Sequence, residues 1–155
     1  MTEMNIDFSK YSRAINIALG GTICLLANNI FLSTSQVAIR VLFLRFDCLG
    51  LLIFSEVRTA ISLFILGTVY LTSGFCCGLY IGFKIKETLR IVAAFPALIG
   101  FGGSLILRVS PGNADFSILN IVEEILMPLL ANIAGSYLGG YTVANSQQEV
   151  ESKNN

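Results

Sequence analysis

The sequence predicts an all-α, polytopic membrane protein: four transmembrane helices in a small bundle, plus an amphipathic interfacial or re-entrant helix around residues 37–54. Three observations predict this fold class. Hydrophobic residues make up 54% of the 155-residue chain and charged residues only 13%, whereas charged residues form about 25% of an average soluble domain. The apolar residues occur in uncharged runs close to the length of about 20 residues that crosses a bilayer as a helix. Glycines recur at every fourth position of one run, which in lipid permits close helix packing.

The first predicted span covers residues 14–33, at the start of an uncharged run that extends to Ile39. It follows a polar N-terminal segment, residues 1–13. A cleavable signal sequence has an apolar region of about 7–15 residues. The run here is longer, so we expect a retained transmembrane helix.

The second span is predicted over residues 59–83 and the third over residues 91–107. The loop between them, residues 84–90, is short, which predicts that these two spans are antiparallel neighbours. The second span carries Gly74, Gly78 and Gly82. We expect the closest partner of this glycine triplet to be the third span.

The fourth span is predicted over residues 125–143, so the membrane domain extends over residues 14–143. Glu123 and Glu124 precede the fourth span, and their negative charges suit the positive end of a helix N-terminus. Residues 144–155 are polar and show no hydrophobic periodicity. Such a composition predicts a disordered tail.

Residues 37–54 are apolar but contain Arg40, Arg45 and Asp47. A charged side chain near the centre of a span costs about 2.5–3.5 kcal/mol on insertion scales. An amphipathic helix in the interface, or a partly re-entrant one, avoids that cost. A fifth span is the alternative.

The distribution of lysine and arginine predicts the orientation of the four spans. Six of the ten basic residues fall on the side of the two termini and four on the opposite side. Because cytoplasmic loops carry the excess of basic residues, we expect a multi-pass protein with both termini in the cytoplasm.

Small residues fall on one face of each predicted span when the residues are placed at 100° intervals. The predicted packing residues are Gly67, Gly74, Gly78 and Gly82 in the second span, Gly100 and Gly103 in the third, and Gly135 and Gly139 in the fourth. Small residues let helices approach closely in lipid. The pattern predicts a compact bundle, with homo-oligomer contacts or a pore as the alternatives.

Polar residues within the apolar runs give the candidate site. Asn28 of the first span and Asn132 of the fourth fall at similar depths, and Glu124 lies slightly above them. Pro128 lacks a backbone N–H, which leaves the carbonyl of Glu124 free for another partner. We predict a polar cluster of these three residues between the first and fourth spans. It provides either interhelical hydrogen bonds, worth about 0.6 kcal/mol each, or an ion or proton site.

The composition narrows the function further. The chain has no histidine, and therefore lacks the usual haem ligand and the commonest metal ligand. We expect no cofactor, no metal and no enzymatic activity. The net charge is zero, which gives no electrostatic basis for binding nucleic acid. The four cysteines show no C-x-x-C spacing: Cys24, Cys48, Cys76 and Cys77. The three within predicted spans are expected to be apolar fillers, with palmitoylation of a boundary cysteine as the alternative.

The functional expectation is a small integral membrane protein that acts through helix packing. It would be an accessory or structural subunit or a homo-oligomer. Its partners would be the lipid bilayer and either a second copy of itself or a larger membrane complex. The alternative is a small ion or solute transporter or channel that uses the cluster of Asn28, Glu124 and Asn132.

Overall fold

The computed structural model describes the backbone of residues 8–47, 55–85, 92, 94–108 and 125–154. These residues form four α-helices and no strand: α1 (Phe8–Asp47), α2 (Ser55–Lys84), α3 (Ala94–Arg108) and α4 (Met127–Asn154). The predicted all-α class is confirmed. Two helices are long and apolar enough to cross a membrane, over Tyr11–Arg45 and Thr59–Lys84. α3 has a shorter apolar stretch, Ala94–Ile106.

α1 is one continuous helix of 40 residues. This corrects the prediction of a separate helix around residues 37–54, because residues 37–47 are the last turns of α1; residues 48–54 lie outside the described part of the chain. The physical reason is that neither glycine nor proline occurs between Thr22 and Asp47, so nothing in the sequence interrupts the helix. At about 1.5 Å per residue α1 is about 60 Å long, roughly twice the hydrocarbon thickness of a bilayer.

α4 is also longer than predicted, since it continues through Asn154. The predicted disordered tail, residues 144–155, is therefore helical as far as Asn154. Glutamine, glutamate and lysine are good helix formers, and the tail supplies them at positions 147–149, 151 and 153. Glu149 and Lys153 are four residues apart, a spacing that favours a helix in that order of charge.

The start of α4 accommodates Pro128. Residues 125 and 126 form a π-helical turn, and α4 begins at Met127. Pro128 thus lies in the first turn of α4, the part of a helix in which proline is best tolerated. The predicted free carbonyl of Glu124 lies outside the described residues.

The helices form a ring in the order α1, α2, α4, α3. α2 and α4 share the most extensive interface, whereas α2 and α3 face each other across the ring with few contacts. One of these is the edge-to-face contact of Tyr70 with Phe101, whose ring centroids are 6.4 Å apart. The prediction that the glycine triplet packs on the third span is therefore wrong. The fourth span offers the matching small-residue face.

The order of contacts gives the directions of the helices. Gly67, Gly74 and Gly78 of α2 face, in that order, Met127, Asn132 and Ser136 of α4. Gly21 and Cys24 of α1 likewise meet Ile99 and Gly100 of α3 in ascending order. α2 is thus parallel to α4, and α1 is parallel to α3.

At the α2–α4 interface, glycines of each helix lie against the backbone of the other. A Cβ atom at Gly74 or Gly78 would overlap a backbone carbonyl oxygen of α4, and a Cβ atom at Gly135 or Gly139 would overlap one of α2. The other predicted packing glycines also face a neighbouring helix: Gly67 faces Met127, Gly82 faces Val143, Gly100 faces Cys24 and Gly103 faces Leu25. Glycine at these positions allows the helix backbones to touch.

Many large apolar side chains lie on the surface, and several polar side chains are buried. Large apolar side chains on all four helices are exposed, among them Phe64 (75%) and Ile106 (77%). The buried polar side chains in the described part of the chain are Asn28, Ser35, Ser73, Ser104, Asn132 and Ser136. The interior is therefore partly polar, and the surface is strongly apolar.

Candidate functional site: a buried polar cluster

Four side chains from three helices meet in the interior of the bundle. They are Cys24 and Asn28 of α1, Ser104 of α3 and Asn132 of α4. We call these four residues the polar cluster. Asn28 is 1% exposed, Ser104 3%, and Cys24 and Asn132 are fully buried.

The thiol of Cys24 lies between the two carboxamides of the polar cluster. It donates to Oδ1 of Asn132 over 3.6 Å, and its sulfur accepts a hydrogen bond from Nδ2 of Asn28 over 3.9 Å. Asn28 Nδ2 also donates to Oγ of Ser104 over 3.5 Å. The hydroxyl of Ser104 donates in turn to the carbonyl of Gly100 over 2.9 Å. The cluster thereby connects α1, α3 and α4.

Each carboxamide of the polar cluster has one end without a partner. Oδ1 of Asn28 and Nδ2 of Asn132 are buried and make no hydrogen bond with any described residue. A buried polar atom that stays unpaired costs about 1–3 kcal/mol. One of the two atoms is an acceptor and the other a donor, so the cluster offers both kinds of hydrogen bond.

A second buried polar contact joins α2 to α4 beside the polar cluster. The thiol of Cys77 lies 3.1 Å from the carbonyl oxygen of Gly74 and 3.4 Å from Oγ of Ser136, and can donate to either. Every helix of the bundle thus places a polar side chain in the interior.

The structure brings two of the three predicted cluster residues into one network. Asn28 and Asn132 are connected through Cys24, while Glu124 lies outside the described residues. Sequence reasoning missed Cys24, which was taken for an apolar filler, and Ser104. A signal for Cys24 was present, because it precedes Asn28 by four residues and so lies on the same helix face.

The chemistry of the polar cluster follows from its members. Carboxamides and hydroxyls donate and accept hydrogen bonds but carry no charge at neutral pH. No group of metal-ligating side chains occurs among the described residues. The carboxamides and the hydroxyl of the cluster therefore offer hydrogen bonds without a formal charge.

An apolar groove of about 430 Å³ opens between α1 and α2. Its lining includes Phe31, Thr34, Phe64, Thr68 and Thr72. Each of the three threonine hydroxyls donates to a carbonyl of its own helix over 2.7–2.8 Å. The groove consequently presents methyl groups and aromatic rings, and it suits an apolar occupant.

Comparisons with known proteins identify no related protein. The chain matches no protein-family model, no curated protein and no solved structure.

Proposed function

We propose that this chain is a four-span integral membrane protein that acts through helix packing and not through catalysis. It serves as an accessory or structural subunit of a membrane assembly or as a homo-oligomer. The observation that carries the proposal is the outward direction of the large apolar side chains on all four helices. Fully burying one such side chain is worth about 1.5–3 kcal/mol relative to leaving it in water. Exposure of these side chains to the hydrocarbon of a bilayer avoids the cost of exposing them to water.

The positions of charged residues on α1 support a membrane placement. Asn28 is the midpoint of the apolar segment Tyr11–Arg45. If Asn28 lies at the centre of the bilayer, Arg13 and Arg40 lie about 22 Å and about 18 Å away along the helix axis. Both distances exceed half of the hydrocarbon thickness of about 30 Å. No charged residue of α1 then needs to lie in hydrocarbon.

One end of the bundle has the side chains expected at a membrane surface. Tyr80 near the end of α2 donates to Asn16 near the start of α1 over 3.5 Å, so these two ends lie together. Tyr11, Lys84 and Tyr141 are exposed at this level. Tyrosine and basic side chains are enriched at membrane–water interfaces. We infer that the chain termini lie on this side, and the excess of basic residues favours the cytoplasm.

The parallel pairs support four crossings. A chain that crosses four times has its first and third spans in one direction and its second and fourth in the other. The contacts of α1 with α3 and of α2 with α4 follow this pattern.

The exposed apolar surface of α1 supports a partner. Ile30, Val37, Val41 and Leu44 are each more than half exposed, and α1 is much longer than the 15-residue α3 that packs beside it. This uncovered helix face lies next to the groove between α1 and α2. A helix of another subunit, or of a second copy, would bury it.

The test is the assembly state in native lipid. The chain is extracted in lipid nanodiscs and its mass is measured by native mass spectrometry. We expect a species of fixed stoichiometry larger than one chain. Val37→Trp should dissociate it, because the larger side chain would clash with a partner packed on the uncovered face of α1. Leu98→Trp, a matched change at an exposed position of α3, should leave it intact. A monomer in nanodiscs would remove the proposal.

A second function, a small ion or solute transporter or channel, is favoured by one observation. Oδ1 of Asn28 and Nδ2 of Asn132 are unpaired in the interior, where a passing solute could use them. Flux into proteoliposomes measures this function. Loss of flux in Asn28→Leu with retained folding would support transport, whereas an absence of any flux from the wild-type chain would exclude it.

A further inference from the structure

We propose that the polar cluster binds one small neutral molecule that accepts a hydrogen bond from Asn132 and donates one to Asn28. Water is the smallest member of this class, and small alcohols and primary amides share its chemistry. The inference goes beyond the proposed function, because it concerns the interior of a single chain and holds whether or not a partner subunit binds.

The two unpaired atoms define what the ligand must offer. Oδ1 of Asn28 needs a donor and Nδ2 of Asn132 needs an acceptor. Both side chains are at least 99% buried, so bulk solvent does not supply either group. A molecule with an O–H or N–H at one point and a lone pair at another offers the kind of partner that each atom needs.

The other ends of the carboxamides are already engaged. Asn28 Nδ2 is held by Ser104 and Cys24, and Asn132 Oδ1 is held by Cys24. Ser104 directs its own proton to the carbonyl of Gly100, which leaves its oxygen as an acceptor for Asn28. The ends left to a third group are therefore Oδ1 of Asn28 and Nδ2 of Asn132.

Charge complementarity separates a neutral ligand from an ion. The two unpaired atoms are one oxygen and one N–H, so an ion of either sign would be matched by only one of them. The polar cluster contains no carboxylate, lysine or arginine to compensate either charge. Burying an uncompensated ion is far more costly than burying a neutral hydrogen-bonded molecule.

The experiment is solid-state NMR of the full chain in lipid bilayers, with ¹⁵N-labelled asparagine and magnetisation transferred from water. Asn29 is the matched control, since it neighbours Asn28 at the same depth and its Nδ2 donates to the carbonyl of Leu25 over 2.8 Å. We expect transfer from water to the side-chain amide of Asn132 that is several-fold faster than to that of Asn29. This comparison uses only the wild-type chain.

Variants then locate the ligand. Transfer to Asn132 should be lost in Asn28→Leu and retained in Asn29→Leu. Added formamide tests which of these small neutral molecules binds. If formamide displaces the water signal, the site takes small amides. If it does not, the site is selective for water. Transfer to Asn132 no faster than to Asn29, with no effect of formamide, would overturn the proposal. A shift of the Asn28 and Asn132 signals with sodium or potassium would overturn it in favour of an ion.

Discussion

Gly74 of α2 lies against the backbone carbonyl of Asn132, the residue of α4 whose side chain enters the polar cluster. A close backbone contact between α2 and α4 and the candidate site therefore share one residue. Any change that separates α2 from α4 at this level also moves the carboxamide of Asn132. The packing of α2 on α4 therefore affects the hydrogen bonds of the polar cluster.

Gly74→Ala should destabilise the bundle. The new methyl group would overlap a backbone oxygen, which cannot move aside as a side chain can, so α2 and α4 must separate. We expect a loss of about 1–3 kcal/mol in the free energy of unfolding, as for other overpacked sites. Reversible unfolding in bicelles measures it. Gly102→Ala is the control, because a Cβ atom there meets nothing within 4 Å; an equal loss in both variants would contradict the interface.

Gly67→Ala should be milder than Gly74→Ala, although both residues face α4. A Cβ atom at Gly67 would lie 2.7 Å from Cε of Met127, the end of a flexible side chain that can move. We expect a loss below about 1 kcal/mol in the same unfolding assay. Replacement of Met127 by Ala should abolish whatever loss remains. A loss as large as that of Gly74→Ala would show that Met127 cannot adjust.

Cys24 and Asn132 should show energetic coupling across the bundle. The thiol of Cys24 donates to Asn132 over 3.6 Å, and hydrogen bonds between membrane helices average about 0.6 kcal/mol in double-mutant cycles. Cys24→Ala, Asn132→Leu and the double variant form the cycle. We expect a coupling of that order. Cys76→Ala in place of Cys24→Ala is the control, and the same coupling there would refute the contact.

Gln36→Pro should disrupt the protein if α1 is continuous. Gln36 is exposed, so its side chain contributes little, but proline removes a backbone hydrogen bond and clashes with the preceding turn. The expected loss is about 3 kcal/mol relative to Gln36→Ala, measured by thermal unfolding in detergent. Tolerance of proline at this position would instead favour a break between the first span and residues 37–47.

The cysteines should differ in reactivity. Cys76 is half-buried, whereas Cys24 and Cys77 are fully buried, and a thiol must be accessible to react. In a Cys48→Ser background, N-ethylmaleimide should modify Cys76 first, as followed by mass spectrometry of the intact chain. Denaturation should equalise the three rates. Early modification of Cys24 in the folded protein would contradict its burial in the polar cluster.

The long apolar segments and the buried asparagines could be predicted from the sequence. Asn28 and Asn132 are conspicuous because a carboxamide is unfavourable in an apolar run unless it has a partner. Ser104 has no such signal, since small residues are common in packed membrane helices, and Cys24 is marked only by its spacing of four residues from Asn28. Their roles depend on which helices are neighbours, and that information is spatial.

Which helices pack against each other could not be derived from loop length. The short connection at residues 84–90 suggested that the second and third spans pair, but the ring places α2 beside α4. A helical wheel identifies the face of Gly74 and Gly78 without identifying the opposing helix. Similarly, Arg40 and Arg45 were read as charges that a membrane excludes. In the structure they lie on a helix long enough to extend beyond the bilayer.

The parallel contact between α2 and α4 also constrains how the protein is made. Asn132 is synthesised about sixty residues after Gly74, which corresponds to about 3–12 s at typical translation rates. Throughout that interval the glycine face of α2 lacks the partner that covers it in the folded protein. If α2 inserts into a membrane as it is made, a chaperone or lipid could cover this face until α4 is synthesised.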